Sequence, residues 1–156
     1  MPLSWNEIRD RSVAFVREWA DESSEDAEAK SFWDAFFKVF GVERRRLAQF
    51  EAPVSMVRNG GKTATGFVDL FWKGRLLVEH KSRGKDLNRA YAQAIDYFEG
   101  IADRDLPRYV LVSDFARFRL DDLGTGDKHE FALADRPKTL RRFGFIGGYE
   151  ARPVRP

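Results

Sequence analysis

Two apolar runs separated by a tight turn constrain the fold of this chain more than any other feature. Residues 67–72 and 76–78 flank Lys73-Gly74, and this pattern predicts a β-hairpin. Because side chains alternate along a strand, Glu79 and Lys81 are expected on one face. The second strand of the hairpin therefore ends with a carboxylate and an ammonium group side by side.

A third charged residue, Asp69, lies on the first strand of the same hairpin. Pairing of the two strands can bring Asp69 beside Glu79 and Lys81. Burying such charges without a partner is expensive, and the usual partner of two converging carboxylates is a hard divalent cation such as Mg²⁺. The alternative is a structural triad, in which Lys81 bridges the two acids as an exposed ion pair.

The composition limits the class of protein. A chain of 156 residues has the size of one domain, and 14 Phe and 4 Trp suffice for a hydrophobic core. The lack of cysteine excludes disulfides, thiolate zinc sites and cysteine nucleophiles, and only two histidines exclude a multi-histidine metal site. There is no signal-peptide pattern and no apolar run approaching about 20 residues. We therefore expect a soluble, cytoplasmic protein that does not contact membranes.

Two helices are predicted before the hairpin. Ser4-x-x-Glu7 has the pattern of a capping box, and the first helix is expected to end near Ala20. The second helix is expected from about residue 25 to residue 40, with Gly41 ending it. Aromatic residues form a stripe along this helix, which we interpret as core: Phe32, Trp33, Phe36, Phe37 and Phe40.

The rest of the pattern predicts an α/β domain. Asp86 is expected to cap a helix over residues 87–100. Extended segments are predicted at 47–57, 109–112, 118–120 and 129–133, a short helix at 136–142 and irregular chain at 144–148. This order of elements predicts a mixed β-sheet flanked by helices.

Carboxylates that converge at a hairpin suit phosphodiester hydrolysis. The reaction needs an attacking water, charge neutralisation at the phosphate and stabilisation of the leaving oxygen, all of which one or two Mg²⁺ ions can supply. In this interpretation Asp69 bridges the metal ions, Glu79 is a second ligand and the backbone carbonyl of His80 also coordinates. Lys81 orients the water and helps to neutralise the phosphate. The His80 side chain is expected on the opposite face of the strand.

The second helix offers a further acid. Glu28 or Asp34 could complete the metal shell, and we favour Glu28 because it lies one turn before Phe32. The alternative is that both acids are solvated, since a carboxylate near a helix N-terminus is favourable without any metal.

The helix after the hairpin carries Gln93 and Tyr97, which are four residues apart and so share one face. Gln93 could hydrogen-bond substrate or a catalytic side chain, and Tyr97 could contact phosphate. Alternatively, Tyr97 packs on the sheet with its hydroxyl at the rim.

Basic residues surround the candidate site. Residues 73–89 contain six basic and two acidic side chains, a distribution that suits a phosphate-backbone partner such as double-stranded DNA. The residues that could contact this backbone without reading bases are Ser82, Arg83, Lys85 and Arg89. The alternative is a solvated basic loop.

Together these motifs resemble a known nuclease superfamily. Asp69, followed by Glu79-x-Lys81, is similar to the PD-(D/E)XK signature, with Val68 in place of the proline. Gln93-x-x-x-Tyr97 resembles the corresponding element of its RecB-like branch.

Longer blocks resemble the N-terminal region of MmeI-like type IIL restriction–modification enzymes, and they cover nearly the whole chain. These blocks are residues 31–37 (SFWDAFF), 39–41 (VFG), 69–74 (DLFWKG), 77–82 (LVEHKS), 107–115 (PRYVLVSDF) and 145–149 (FIGGY). Several blocks in this order are more specific than the short catalytic motif alone.

The resemblance implies a restriction-endonuclease-like αβββαβ core and Mg²⁺-dependent DNA cleavage, with Mn²⁺ as a substitute. It implies a nuclease domain over residues 1–150, and the start of a connector or tail at 151–156. In that family a methyltransferase, which binds S-adenosylmethionine, and a target-recognition domain follow in the full-length polypeptide. We expect neither in this chain. Cleavage of both DNA strands would need a transient dimer, because one active site cuts one strand.

Two other functions remain open at this point. One is a RecB-like repair nuclease with the same chemistry, acting on DNA ends or junctions. The other is a catalytically inactive DNA-binding or scaffolding module. The intact Asp69, Glu79 and Lys81 argue against the inactive module, because degenerate domains usually lose one of these groups.

Overall fold

Six strands of the described chain form one sheet that carries the candidate site. The structure is a computed structural model that describes residues 3–22, 25–57, 59–133 and 140–148. The strands are β1 (Gln49–Val57), β2 (Thr63–Trp72), β3 (Leu76–His80), β4 (Tyr109–Ser113), β5 (Arg117–Asp122) and β6 (Asp127–Ala132). The α-helices are α1 (Trp5–Trp19), α2 (Glu25–Val39) and α3 (Leu87–Asp96). Shorter 3₁₀ helices include Arg44–Arg46, Tyr97–Gly100 and Leu140–Gly147.

The strands follow one another across the sheet in chain order, from β1 to β6. β3 and β4 are parallel, and the other neighbouring pairs are antiparallel. Helix α3 lies in the connection between the two parallel strands, which requires a crossover. This architecture confirms the α/β fold with a mixed sheet that the sequence predicts, and it is consistent with a restriction-endonuclease-like core.

Helices α1 and α2 cover one face of the sheet with an aromatic core. The predicted capping box is present at the start of α1. Ser4 Oγ accepts from the Glu7 N–H at 3.2 Å, and Glu7 Oε1 accepts from the Ser4 N–H at 3.3 Å. The aromatic stripe around α2 is buried in this core, as expected: Phe32, Trp33, Phe36, Phe37 and Phe40.

Helix α3 covers the opposite face with a smaller core. The Asp86 carboxylate caps α3 by accepting from the N–H groups of Asn88 and Arg89. The predicted helix changes to a 3₁₀ turn at Tyr97 and continues to Gly100. A side chain at Gly100 would collide with the Ser55 carbonyl, so glycine allows this turn to approach β1 closely.

The C-terminal part of the described chain differs from the prediction. The prediction of irregular chain over 144–148 is wrong for 144–147, because a 3₁₀ helix covers Leu140–Gly147. Phe143, Phe145 and Ile146 are buried there, and the Phe145 ring stacks on Tyr109 at 3.7 Å. This packing stabilises a helix that the local pattern, with three glycines, does not favour. Most of the short helix predicted at 136–142 lies outside the described residues.

Among the described residues, no helix combines the length and apolar character that crossing a membrane requires.

Candidate active site

Asp69 and Glu79 lie opposite each other across the β2–β3 hairpin. The strand register pairs Leu70 with Val78, which places the two acids side by side. The main-chain N–H of Asp69 donates to Glu79 Oε1 at 3.4 Å, and Lys81 Nζ lies 4.0 Å from Glu79 Oε2. The structure therefore brings together the three residues that the hairpin pattern predicts to converge.

Strand β2 changes face at Asp69. Strict alternation would put Val68 and Leu70 on one face, but Val68 packs in the α3 core and Leu70 in the α1–α2 core. The β1–β2 pairing is interrupted where Glu51 stands opposite Asp69: both residues are left out of the ladder, and the register is the same on either side of them. Glu51 has a φ of 51°, in the left-handed region that non-glycine residues seldom adopt. Asp69 is presented at this local distortion.

The main chain of the neighbouring strand holds the Asp69 carboxylate. The His80 N–H donates to Asp69 Oδ2 at 2.7 Å. The Lys81 N–H donates to the Ser113 carbonyl at 2.8 Å, which extends the pairing of β3 with β4 to the end of the motif. The hairpin and its parallel neighbour thus position all three charged side chains.

Glu79 is buried, with 5% of its side chain exposed. The pKa of its carboxyl group is raised to about 8, first by burial and then by the negative charge of Asp69, against the lowering effect of Lys81. A buried carboxylate beside a second one is destabilised unless a proton or a cation is shared between them. This argues against the alternative of an exposed structural ion pair.

The His80 side chain lies on the opposite face, as predicted. Its Nδ1 accepts from Trp33 Nε1 at 2.9 Å, and its ring packs against Phe115 with 4.2 Å between centroids. Burial lowers the pKa of His80 to about 4, although the charge of Asp114 opposes this shift. The imidazole is therefore a neutral core group at ordinary pH.

A cavity of about 220 Å³ lies beside Asp69 between α2 and the hairpin. Lys30 and Glu51 lie on its rim and form an ion pair at 3.3 Å. Sequence reasoning missed both residues. Pro53 is consistent with the position of β1 at the edge of the sheet, but nothing in the sequence points to Glu51 or Lys30.

Comparison with known proteins assigns the chain to a family. A family model described as "MmeI, N-terminal domain" matches residues 10–156. The chain belongs to this family. It is the family of the type IIL restriction enzyme nuclease domain.

A solved structure described as "cryoEM structure DrdV-DNA complex" resembles this MmeI-type domain, with a TM-score of 0.50 and 14% sequence identity. The match covers 94% of this chain but only 14% of that one, and at this identity it supports the fold alone. No curated protein matches the chain significantly.

In this MmeI-type domain the two candidate metal ligands of α2, Asp34 and Glu28, differ from each other in their surroundings. Asp34 accepts from Arg44 Nε at 2.6 Å, so its charge is already used in a structural ion pair. Glu28 is half-buried and is not among the residues that line the cavity beside Asp69. Within the described part of the chain, no three Asp, Glu or His side chains are grouped to hold a metal ion. Coordination by Glu28 and by the His80 carbonyl thus stays a prediction.

Gln93 and Tyr97 differ in their exposure and in their contacts. Gln93 is exposed on α3. Tyr97 is half-buried and donates its hydroxyl hydrogen to the Phe67 carbonyl at 3.1 Å, two residues before Asp69. This corresponds to the packed tyrosine that the sequence left as an alternative. Direct roles of Gln93 and Tyr97 in the chemistry stay predictions.

The basic loop after β3 is only partly available to a ligand. The Arg83 guanidinium donates to the carbonyls of Ala20 and Glu22, so it fastens the loop to the end of α1. Lys85 and Arg89 are exposed, and Ser82 is half-buried. The MmeI-type fold therefore gives Arg83 a structural function that its sequence context does not reveal.

Proposed function

We propose that this MmeI-type domain is a Mg²⁺-dependent DNA endonuclease that hydrolyses phosphodiester bonds. The observation that carries the proposal is the buried Glu79, which lies beside Asp69 and within 4.0 Å of Lys81. Such a group of charges is costly in a protein that does not use it, and perturbed carboxylates of this kind are typical of functional sites.

The donors present suit a hard cation. Mg²⁺ prefers oxygen ligands, keeps several water molecules and commonly takes only one or two protein carboxylates together with phosphate oxygens. Asp69 and Glu79 supply two carboxylates, with the His80 main-chain carbonyl and Glu28 as further candidates. A cation would also relieve the repulsion that raises the pKa of Glu79. Mn²⁺ accepts the same donors and can substitute.

Residues of the chain itself would orient the attacking water and the substrate. When bound, Mg²⁺ supplies charge neutralisation at the phosphate and a more acidic water. The Lys81 ammonium orients the attacking water and stabilises the charge that develops on the phosphate oxygens. Gln93 hydrogen-bonds the substrate, and Tyr97 contacts a phosphate. The water oxygen gives up a proton to solvent as it bonds to phosphorus, the bond to the leaving oxygen breaks, and that oxygen takes up a proton.

Double-stranded DNA is the proposed substrate. The similar DrdV structure is described as a DNA complex, and the basic loop of this chain offers Ser82, Arg83, Lys85 and Arg89 to a phosphate backbone. Arg83 would contact the backbone through the N–H groups that do not donate to the carbonyls of Ala20 and Glu22. This chain would act in the cytoplasm, where a restriction enzyme meets its DNA.

The wider protein context is also a proposal. Residues 1–150 form the nuclease domain and 151–156 begin a connector. A methyltransferase that binds S-adenosylmethionine and a target-recognition domain of the parent polypeptide would select the site. A transient dimer would allow both strands to be cut.

The proposed activity can be separated from its two alternatives with two DNA substrates. An endonuclease cuts a covalently closed circle, whereas a nuclease that acts on ends cuts only its linear form. An inactive module cuts neither and binds no metal specifically. We expect cleavage of the circle in Mg²⁺, together with calorimetric Mg²⁺ binding that Asp69→Ala abolishes. Cutting of the linear form alone, or metal binding that Asp69→Ala leaves unchanged, would contradict the proposal.

A further inference from the structure

A basic cleft lies on the β1 side of the hairpin. It has a volume of about 610 Å³ and lies between the 3₁₀ helix Arg44–Arg46, the start of β1 and the hairpin turn. Four of its lining residues are basic and none is acidic; the basic ones are Arg44, Arg45, Arg46 and Lys73. We refer to this feature as the basic cleft.

One of these arginines is part of the fold. Arg44 Nε donates to Asp34 at 2.6 Å, and Arg44 Nη1 donates to the Ala48 carbonyl at 2.9 Å. Its guanidinium also lies 3.9 Å from the centre of the Phe50 ring. Arg44 therefore shapes the wall of the basic cleft instead of being available to a ligand.

The other two arginines are available. The side chains of Arg45 and Arg46 are 77% and 76% exposed, and both lie near one carboxylate, Glu43, at 3.7 and 3.0 Å. Exposed ion pairs of this kind contribute little, so either guanidinium can exchange Glu43 for another anion at small cost. With Lys73 also exposed, the four basic residues outnumber Asp34 and Glu43 and leave a net charge of +2.

The basic cleft adjoins the candidate active site. Phe50 lines both this cleft and the cavity beside Asp69. Trp72, which lines the cleft, follows Asp69 by three residues on β2, which is about 10 Å along an extended strand. A DNA strand with its cleaved bond at Asp69 would therefore reach the basic cleft within a few nucleotides.

We infer that the basic cleft binds the phosphodiester backbone of the DNA that flanks the cleaved bond, through Arg45, Arg46 and Lys73. The inference rests on the proposed function for the identity of the ligand. Guanidinium groups bind phosphate bidentately and without reading bases, which suits a nuclease domain that does not itself select the target. Continuity with the site at Asp69 favours a nucleic acid over an acidic protein segment.

The test uses the double variant Arg45→Ala/Arg46→Ala and a fluorescent duplex of about 20 base pairs. Anisotropy titrations in EDTA measure binding without cleavage. We expect the variant to bind at least about 10-fold more weakly at low salt, and the slope of log K against log salt to fall by about 2. The matched control is Arg9→Ala/Arg17→Ala, which removes two exposed arginines of α1 that line neither cavity. The control should retain most of the wild-type affinity and slope.

Equal affinity and slope for the two double variants would overturn the inference and would favour an acidic protein segment as the occupant. Amide shifts on adding the duplex provide a second measurement when affinity is low. We expect shifts at residues 44–50 and 72–74, and shifts confined to residues 82–89 would contradict the inference. These experiments contain no metal. If wild type binds the duplex in these experiments but does not cleave DNA in Mg²⁺, the proposed nuclease activity would be contradicted and the basic cleft would still be supported.

Discussion

The main-chain N–H of Asp69 donates to the side chain of Glu79 at 3.4 Å, so one acid of the candidate site is held by the backbone of the other. The His80 N–H completes this arrangement by donating to the Asp69 carboxylate at 2.7 Å. The two carboxylates are therefore set by the register of the hairpin. A change in the pairing of β2 and β3 would displace both acids together.

The first prediction concerns stability and pH. The pKa of Glu79 is about 8 in the fold against 4.5 for the ordinary side chain, so folding favours the protonated form. The contribution of this carboxyl group to the free energy of unfolding is fully present below pH 4.5 and is lost as the pH rises through 8. Glu79→Gln removes this titration. We expect urea unfolding to show that wild type loses stability relative to Glu79→Gln across this range, and parallel pH profiles would contradict the assignment.

A second prediction concerns metal affinity and pH. Binding of Mg²⁺ must displace the proton of Glu79, so the apparent affinity should rise about tenfold per pH unit below the pKa of about 8. Calorimetry in buffers of different ionisation enthalpy would count the proton released. In Glu79→Gln the affinity should be lower and nearly independent of pH in this range. A wild-type affinity that does not change with pH would contradict a site that contains Glu79.

A third prediction concerns Lys81. Its ammonium lowers the pKa of Glu79 and is proposed to orient the attacking water. Lys81→Ala should therefore remain folded, still bind Mg²⁺ near pH 8 and lose cleavage by about 100-fold or more. Lys81→Arg keeps the charge but moves it, and serves as the control for electrostatics alone. Cleavage by Lys81→Ala at the wild-type rate would remove Lys81 from the site.

A fourth prediction separates Tyr97 from Gln93. Because the Tyr97 hydroxyl bonds to the Phe67 carbonyl, Tyr97→Phe should cost about 1 kcal/mol in unfolding free energy as well as activity. Gln93→Ala is an exposed helical substitution and should change stability by less than about 0.5 kcal/mol while still reducing cleavage. Urea unfolding and cleavage rates measure the two effects. Unimpaired cleavage by Gln93→Ala would show that Gln93 does not touch the substrate.

A fifth prediction concerns the distortion opposite Asp69. An ordinary strand position favours alanine over glycine, but Glu51 has a φ of 51°, where glycine is the less strained residue. Both Glu51→Gly and Glu51→Ala remove the carboxylate and its exposed ion pair with Lys30. We expect Glu51→Gly to be the more stable by about 1 kcal/mol in urea unfolding. The opposite order would mean that the backbone of β1 is not strained at Glu51.

The parts of the fold that could be predicted are those that local sequence determines. The capping box at Ser4, the Lys73-Gly74 turn and the N-cap at Asp86 each depend on residues within a few positions of one another. For the same reason the convergence of Asp69 and Glu79 follows from a short hairpin.

The parts that could not be predicted depend on contacts between distant segments. Nothing near Glu51 in the sequence signals its left-handed backbone, which lies where the pairing of β1 with β2 is interrupted. Arg83 bonds to carbonyls about 60 positions earlier, and Phe145 stacks on Tyr109 to hold a 3₁₀ helix where glycines suggested irregular chain. The burial that raises the pKa of Glu79 also comes from packing of the whole domain.

The most direct test of the account is nicking of supercoiled plasmid at low salt in Mg²⁺ or Mn²⁺, with wild type beside Asp69→Ala. Low salt is needed because non-specific binding to the phosphate backbone weakens steeply as salt rises. The account predicts that wild type converts the plasmid to the nicked form, that EDTA stops the reaction and that Asp69→Ala has no activity. Equal nicking by the two proteins, or none by wild type even though it binds both DNA and metal, would contradict it.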